Sequence, residues 1–178
     1  DKAEDLSIEF VKLKDGKHSL GFRVDETFFE ELGSKEVHKA DVSVEVEVDK
    51  NVNWMHVRLH MTGSMMVDCH RCLVPLPLAI DTKYLLIVKL DCQEEAVAEH
   101  EDEGVELIYL RSHEFKLSIS QPVYESSLLA LPMIRNCDEL EIKPCDEAMI
   151  QKLETLNGST TDEVVDARWD KLKQLKNL

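Results

Sequence analysis

The segment Asp41-Val42-Ser43-Val44-Glu45-Val46-Glu47-Val48 decides the fold class, because apolar and polar residues alternate along it. Successive side chains of a β-strand point to opposite faces, so this alternation predicts a strand with one face in the core and the other in water. Residues 55–61 repeat the pattern, with apolar residues on one face and His56, Arg58 and His60 on the other. The two segments predict neighbouring antiparallel strands. The His-Arg-His stripe is either a solvated sheet face or a contact for phosphate or metal.

Further strands extend this pattern in both directions. Residues 8–13 and 18–24 flank an Asp15-Gly16 pair that is typical of tight turns, so they predict an N-terminal hairpin. Residues 76–90 share one apolar parity and predict a long strand, whose beginning lies at an edge or bulge because two prolines there cannot donate ladder hydrogen bonds. Residues 105–110 predict a last short strand.

Two helices are predicted beside these strands. Asp25 is a suitable N-cap for a short helix that ends at Gly33. Residues 117–131 predict a second helix, with Pro132 just past its end. We therefore expect an α+β fold, in which a mainly antiparallel, strongly bent sheet or partial barrel over about residues 7–110 is covered by the second helix.

The chain divides into a folded part and a tail. Its 178 residues suit one domain, and we expect a single α+β domain over residues 1–155. Residues 156–178 are predicted to be a flexible linker and a short basic amphipathic helix that begins near Asp166. That helix either docks onto its own domain or is captured by a partner.

The net charge of −15 restricts the choice of partners. A field of this sign repels phosphate backbones and favours basic partners such as ribosomal proteins, unless it serves solubility alone. No stretch approaches the roughly 20 apolar residues that span a membrane, and the first residues lack the apolar run of a secretory signal. These features predict a cytoplasmic protein without a membrane partner.

The five cysteines argue against a disulfide framework, because their number is odd and no secretory signal precedes them. The remaining options are buried thiols, a metal site or a redox pair. Cys69 and Cys72 lie at the tip of a predicted strand-turn-strand unit, where two sulfurs can bind one zinc ion. Cys137 and Cys145 are the natural candidates for the other ligands, although their spacing is wider than usual. His70 could replace one of these distant cysteines. The alternative is a group of reduced thiols that binds no metal.

Catalytic signatures are missing from the sequence. A redox Cys-x-x-Cys begins a helix, whereas this one runs into residues 73–77, whose two prolines oppose a helix there. The six glycines are scattered singly, so no phosphate-binding loop is formed, and no nucleophile elbow or His-Glu-x-x-His motif occurs. Cys92 has no partner nearby in the sequence and is predicted to be a small buried hydrophobic residue. We predict that the protein is not an enzyme.

Three motifs occur in order along the chain. They are Cys69-His70-Arg71-Cys72-Leu73 before a proline-bearing strand, Leu128-Leu129-Ala130-Leu131-Pro132, and Asp166-Ala167-Arg168-Trp169-Asp170-Lys171-Leu172. Together they resemble the bacterial YceD family, whose members are called large ribosomal RNA subunit accumulation proteins. The chain departs from that family in having only Cys137 and Cys145 where some members carry a cysteine-rich cluster, and Ala167 where the ending often has proline.

The resemblance implies a cytoplasmic factor that supports synthesis, processing or accumulation of 23S ribosomal RNA, in a family described as binding metal and nucleic acid. Our leading hypothesis is a non-enzymatic factor that binds this RNA or a basic ribosomal protein, with Zn²⁺ as its expected cofactor. The alternative is a zinc-stabilised protein-interaction module unrelated to ribosomes. The residues predicted to contact the partner are His70, Arg71, Arg168, Trp169 and Lys171.

Overall fold

The computed structural model describes residues 6–90, 106–111, 113–138 and 140–157. Its strands are β1 (Ser7–Ile8), β2 (Gly16–Asp25), β3 (Val37–Lys50), β4 (Trp54–Asp68), β5 (Pro75–Lys89), β6 (Glu106–Tyr109) and β7 (Leu117–Ser118). Its helices are α1 (Glu26–Glu31), α2 (Ser120–Leu129) and α3 (Glu147–Leu156), and Phe10–Lys12 forms a short 3-10 turn. These elements confirm the predicted α+β class.

A five-stranded sheet in the order β2-β3-β4-β5-β6 organises the fold. From β2 to β5, each strand pairs with the next one along the chain in the antiparallel sense. The alternation in β3 places its valines at 42, 44, 46 and 48 in the core, while the residues between them are exposed. The same parity buries Met55, Val57, Leu59 and Met61 of β4. One face of the sheet therefore carries the core and the other faces solvent, as predicted.

The last strand departs from the predicted antiparallel arrangement. β6 pairs with β5 in the parallel sense, with Leu86 opposite Glu106 and Lys89 opposite Tyr109. Alternation along a sequence does not encode strand direction, and a parallel pair requires a connection of about a dozen residues or more, which residues 91–105 provide. The sheet is thus mixed. Its strands, as far as the structure describes them, do not close into a barrel, and the partial barrel stays a prediction.

The predicted N-terminal hairpin is wrong. Gly16 does turn the chain, with φ of 122°, but the segment before it does not pair with β2. Instead Ile8 pairs with Leu117 in the small β1–β7 sheet, and Phe10 is buried in the 3-10 turn. The reason is the 3-10 turn at residues 10–12, which interrupts the extended backbone, so the segment cannot provide a continuous strand beside β2.

Helix α1 begins and ends where the sequence predicts. The Asp25 carboxylate accepts a hydrogen bond from the Thr27 backbone N–H at 3.0 Å, which is the bond expected of an N-cap. After the helix, Gly33 adopts φ of 94°, a conformation that favours glycine. The helix buries Phe28 and Phe29 against the sheet.

The remaining helices differ from the prediction in extent and number. α2 covers only the middle of the predicted segment 117–131, because Leu117 and Ser118 form β7. Pro122 lies in its first turn, where a missing N–H is tolerated. α3 was not predicted, although Asp146 caps it by accepting from the N–H groups of Ala148 and Met149.

No helix in the described ranges is long and apolar enough to cross a membrane. The predicted tail helix near Asp166 and the predicted buried Cys92 lie outside the described residues. The division of the chain at residues 155 and 156 stays a prediction.

Candidate metal centre

The cysteine turn, residues 69–74, joins the long strands β4 and β5 at one end of the sheet. The Cys69 N–H donates to the Val74 carbonyl at 3.0 Å, and the Leu73 N–H donates to the Cys69 carbonyl at 3.0 Å. Leu73 adopts φ of 59°, which allows the chain to reverse within a few residues. Cys69 and Cys72 consequently face the same side of the turn, as the sequence predicts for a strand-turn-strand tip.

The second pair of cysteines comes from the segment between α2 and α3. Within it, the Leu140 N–H donates to the Asn136 carbonyl and the Ile142 N–H donates to the Cys137 carbonyl. Glu141 has φ of 53°, so this segment also contains a left-handed residue. These two hydrogen bonds turn the chain back, and Cys145 lies close to Cys137 despite their wide spacing in the sequence.

The four cysteines converge into one group, which we call the cysteine cluster (Cys69, Cys72, Cys137 and Cys145). Their sulfur atoms all lie within 4.8 Å of one another, and the Cys72 and Cys137 sulfurs are 3.5 Å apart. All four are free thiols. Cys145 is half-buried and the other three are buried, so the cluster lies at the boundary of the core.

The surroundings of the cysteine cluster favour a single thiolate at Cys69. Burial opposes its ionisation, but backbone N–H groups of Cys72, Arg71 and Cys137 outweigh burial and lower the pKa of Cys69 to about 6. Burial and the neighbouring thiols raise the pKa of Cys137 to about 12, and burial raises the pKa of Cys145. Since adjacent thiolates repel one another, ionisation of all four requires a cation among them.

Hydrogen bonds and ion pairs join the cysteine turn to the second segment. The His70 N–H donates to the Arg135 carbonyl at 2.8 Å, and Arg135 Nε donates to His70 Nε2 at 2.9 Å. Arg135 also pairs with Glu36 at 2.8 Å, and Arg71 pairs with Asp138 at 2.8 Å. The structure therefore places the His70 ring against Arg135, outside the group of thiols. Arg71 is half-exposed and holds two chain segments together.

The geometry of the cysteine cluster fits a single metal ion. Four thiolates around one tetrahedral ion at about 2.3 Å lie about 3.8 Å from one another. The observed separations lie close to that spacing, at 3.5 Å between the Cys72 and Cys137 sulfurs and at most 4.8 Å across the group. The N–H groups of Arg71 and Cys72 lie 3.4 and 3.5 Å from the Cys69 sulfur, which is the kind of surrounding hydrogen bond that orients a metal ligand. The cluster could therefore hold a metal ion, as the sequence predicted.

Three exposed apolar residues lie in the two segments that the cysteine cluster brings together. Leu73 in the cysteine turn is exposed, and so are Met133 and Ile134, which immediately precede Arg135 in the chain. Met133 is 94% exposed, an unusual environment for a long apolar side chain. We call these three residues the tip patch. No periodic pattern in the sequence marks it, because its members come from two irregular segments.

The His-Arg-His stripe of β4 lies on the solvent face of the sheet. His60 Nε2 lies 2.8 Å from the Asp81 carboxylate, and Arg58 lies 4.0 Å from the Glu47 carboxylate. The rings of Trp54 and His56 are 4.3 Å apart. The His60 and Arg58 groups thus have carboxylate neighbours within the sheet, which agrees with a solvated face.

The sequence did not predict two residues that stabilise the candidate metal centre, and three of the predicted partner-binding residues lie beyond the described part of the chain. Arg135 and Asp138 hold the cysteine turn but lie in no recognisable motif. The predicted partner-binding residues Arg168, Trp169 and Lys171 lie outside the described residues.

The fold and the cysteine cluster define a class: small α+β proteins in which a candidate metal centre ties a hairpin tip to a distant segment. The family model for the large ribosomal RNA subunit accumulation protein YceD matches residues 57–176, more than half of the chain. The chain belongs to this family. No curated protein and no solved structure matches it. The matched region contains the whole cysteine cluster.

Proposed function

We propose that the protein is a non-enzymatic cytoplasmic factor that supports accumulation of 23S ribosomal RNA by binding a basic ribosomal protein. The observation that carries this proposal is the convergence of four cysteines within 4.8 Å, in two segments that also carry the exposed residues of the tip patch. Membership in the YceD family supplies the connection with the large ribosomal subunit. A binding protein needs a surface of fixed shape, and a hairpin tip tied by a metal ion provides one.

Zn²⁺ is the ion that we propose for the cysteine cluster. Soft thiolate ligands select zinc or iron–sulfur groups, and tetrahedral four-sulfur sites are typical of both. Sulfur atoms within 4.8 Å of one another suit one ion better than several irons, which would spread the ligands further apart. Four thiolates close the coordination shell, so zinc bound here stabilises structure and has no open position for a substrate. This arrangement supports a role without catalysis.

A basic protein is the partner that the charges favour. The whole chain carries −15, which opposes approach to RNA phosphates and attracts cationic proteins. Exposed carboxylates on the segment that follows the tip patch include Asp138, Glu141 and Asp146, while the patch itself is apolar. Protein interfaces commonly combine an apolar centre with a polar rim, and complementary charge raises the rate of association.

Metal analysis of protein purified without a histidine tag tests the zinc centre. We expect one zinc ion per chain in the unmodified protein and its loss in the Cys72→Ser variant. The matched control is His70→Ala, since this side chain belongs to the same turn but contacts Arg135, and zinc should be retained. Zinc well below one per chain, together with freely titratable thiols, would contradict the proposal.

Affinity purification of the full chain from cells tests the partner. We expect large-subunit ribosomal proteins to co-purify, and nuclease treatment should leave them bound. Met133→Asp should abolish this binding, because it places a charge in the tip patch, whereas Val11→Asp, at another exposed apolar position, should not. Loss of the proteins after nuclease treatment would point to RNA as the partner instead.

RNA contact makes a separate prediction. If Arg71 touches phosphate, affinity for 23S RNA should fall steeply with added salt, because each neutralised phosphate releases counterions. If no large-subunit components co-purify with the protein, the proposed function is contradicted. The alternative, a zinc-stabilised protein-interaction module unrelated to ribosomes, would then be favoured.

A further inference from the structure

Strand β2 forms an outer edge of the sheet and has a partner on one side only. It pairs with β3 over ten consecutive positions, from Gly16 opposite Lys50 to Asp25 opposite Asp41, without a bulge. Among the described residues, no strand covers its other side. Its outward-facing N–H and C=O groups therefore form a regular row that another extended strand can pair with.

β2 lacks a proline and a bulge, which are two of the usual protections of an edge strand. The other open edge of the sheet, the first part of β5, begins with Pro75 and Pro77, which cannot donate ladder hydrogen bonds. β2 contains no proline, and its core-side residues Leu20 and Phe22 are apolar and only half-buried. A strand added beside β2 would cover these two side chains.

We propose that β2 pairs with β2 of a second copy of this chain, antiparallel about a two-fold axis at Gly21. In this register Leu20 of each copy lies opposite Phe22 of the other on the core side. On the solvent side Lys17 lies opposite Asp25 of the second copy, and Ser19 lies opposite Arg23. The strand is thus complementary to itself in both apolar contacts and charge, as a two-fold interface requires.

The two neighbouring registers with the same orientation of faces are centred on Leu20 and on Phe22, and both are less favourable. An axis on Phe22 shortens the ladder, because Lys17 and His18 would then lie opposite residues of α1. Centring the axis on Leu20 places Lys17 opposite Arg23, and like charges directly opposite one another destabilise a strand pair. Gly21 also suits the axis, because a Cβ built there meets no atom within 4 Å and the backbone is accessible from outside. The axis lies close to the middle of β2, so the pairing uses the strand almost from end to end.

Disulfide mapping of the full chain tests both the interface and its register. In the proposed dimer the Gly21 positions of the two copies face each other, about 5 Å apart, which is within disulfide range. Gly21→Cys should therefore give a covalent dimer on mild oxidation, and mass spectrometry should find two peptides that both contain position 21 joined by a disulfide. The control is Ser19→Cys, on the same face, whose positions in the two copies lie about 14 Å apart and should not cross-link with each other.

Sedimentation of the unmodified protein provides a second, independent measurement. We expect a concentration-dependent monomer–dimer equilibrium, weakened about tenfold by Lys17→Glu because two attractive cross-strand pairs become repulsive. A monomer at every concentration would overturn the proposal. A dimer whose Gly21→Cys variant fails to form the cross-link at position 21 would overturn it equally, since the contact would then lie elsewhere.

Discussion

The proposed zinc centre should stabilise the fold as a cross-link between distant parts of the chain. The Cys72 and Cys137 sulfurs are 3.5 Å apart although 65 residues separate the two cysteines in the sequence. An ion that binds the folded chain and leaves the unfolded chain stabilises the fold by mass action, by about 4 kcal/mol when its free concentration is about a thousand times its dissociation constant. We therefore expect chelation of zinc to lower the free energy of unfolding by about 4 kcal/mol. The decrease is smaller if the unfolded chain also binds zinc.

Urea unfolding of three proteins in matched buffers, with zinc and with chelator, separates this effect from simple packing. The unmodified protein and His70→Ala should both lose stability on chelation. Cys137→Ser should be insensitive to chelation, because one ligand is already absent. With chelator present, it should differ from the unmodified protein only by the cost of a buried hydroxyl, about 1–3 kcal/mol.

Two results would refute the reasoning. If the unmodified protein unfolds at the same urea concentration with and without zinc, the cysteine cluster does not cross-link the fold. If Cys137→Ser costs the same under both conditions, the thiol acts as a buried packing group and binds no ion that matters for stability.

Three further substitutions test packing and helix capping in β4, α2 and α3. Gly63→Ala should destabilise the protein by about 3 kcal/mol in urea unfolding, because the added Cβ would collide with the Asp41 carbonyl oxygen. The control, Gly21→Ala, should stay within about 0.5 kcal/mol of the unmodified protein, because a Cβ there meets no atom within 4 Å. Equal effects of the two substitutions would show that the sheet adjusts freely. Ser127→Ala should raise the midpoint of thermal unfolding, because the buried Ser127 hydroxyl lacks a hydrogen-bond partner within the described part of the chain. A lower midpoint would show that this hydroxyl does form a hydrogen bond. Asp146→Ala should weaken α3 by about 1 kcal/mol, seen as faster amide exchange in its first turn, and unchanged exchange would show that the cap contributes nothing.

Patterns that are local in sequence predicted the structure well. Alternation over residues 41–48 and 55–61 identified β3 and β4, and Asp25 with Gly33 marked both ends of α1. Each of these signals depends on side-chain periodicity or on one capping residue, so neighbouring residues are sufficient to read it.

Features that depend on distant partners were not predictable in the same way. The segment around Phe10 has a strand-like composition, yet Ile8 pairs with the distant Leu117 and residues 10–12 form a 3-10 turn. Strands of either direction show the same alternation, so the sequence pattern does not encode the parallel pairing of β6 with β5.

The candidate centre shows the same division between local and distant information. The close spacing of Cys69 and Cys72 identified the first half directly. Cys137 and Cys145 were predicted as the other two ligands, but the seven residues between them made the signal weaker, because that spacing is wider than in typical zinc motifs.

The register of β3 against β4 bears on where the chain can be cut. The family match begins at residue 57, inside β4, so it omits β2 and β3. A fragment with that boundary would uncover Leu59 and Met61 and leave a long β4 edge without its partner, which is a surface prone to aggregation. The smallest soluble piece of this protein should therefore begin well before the region by which its family is recognised.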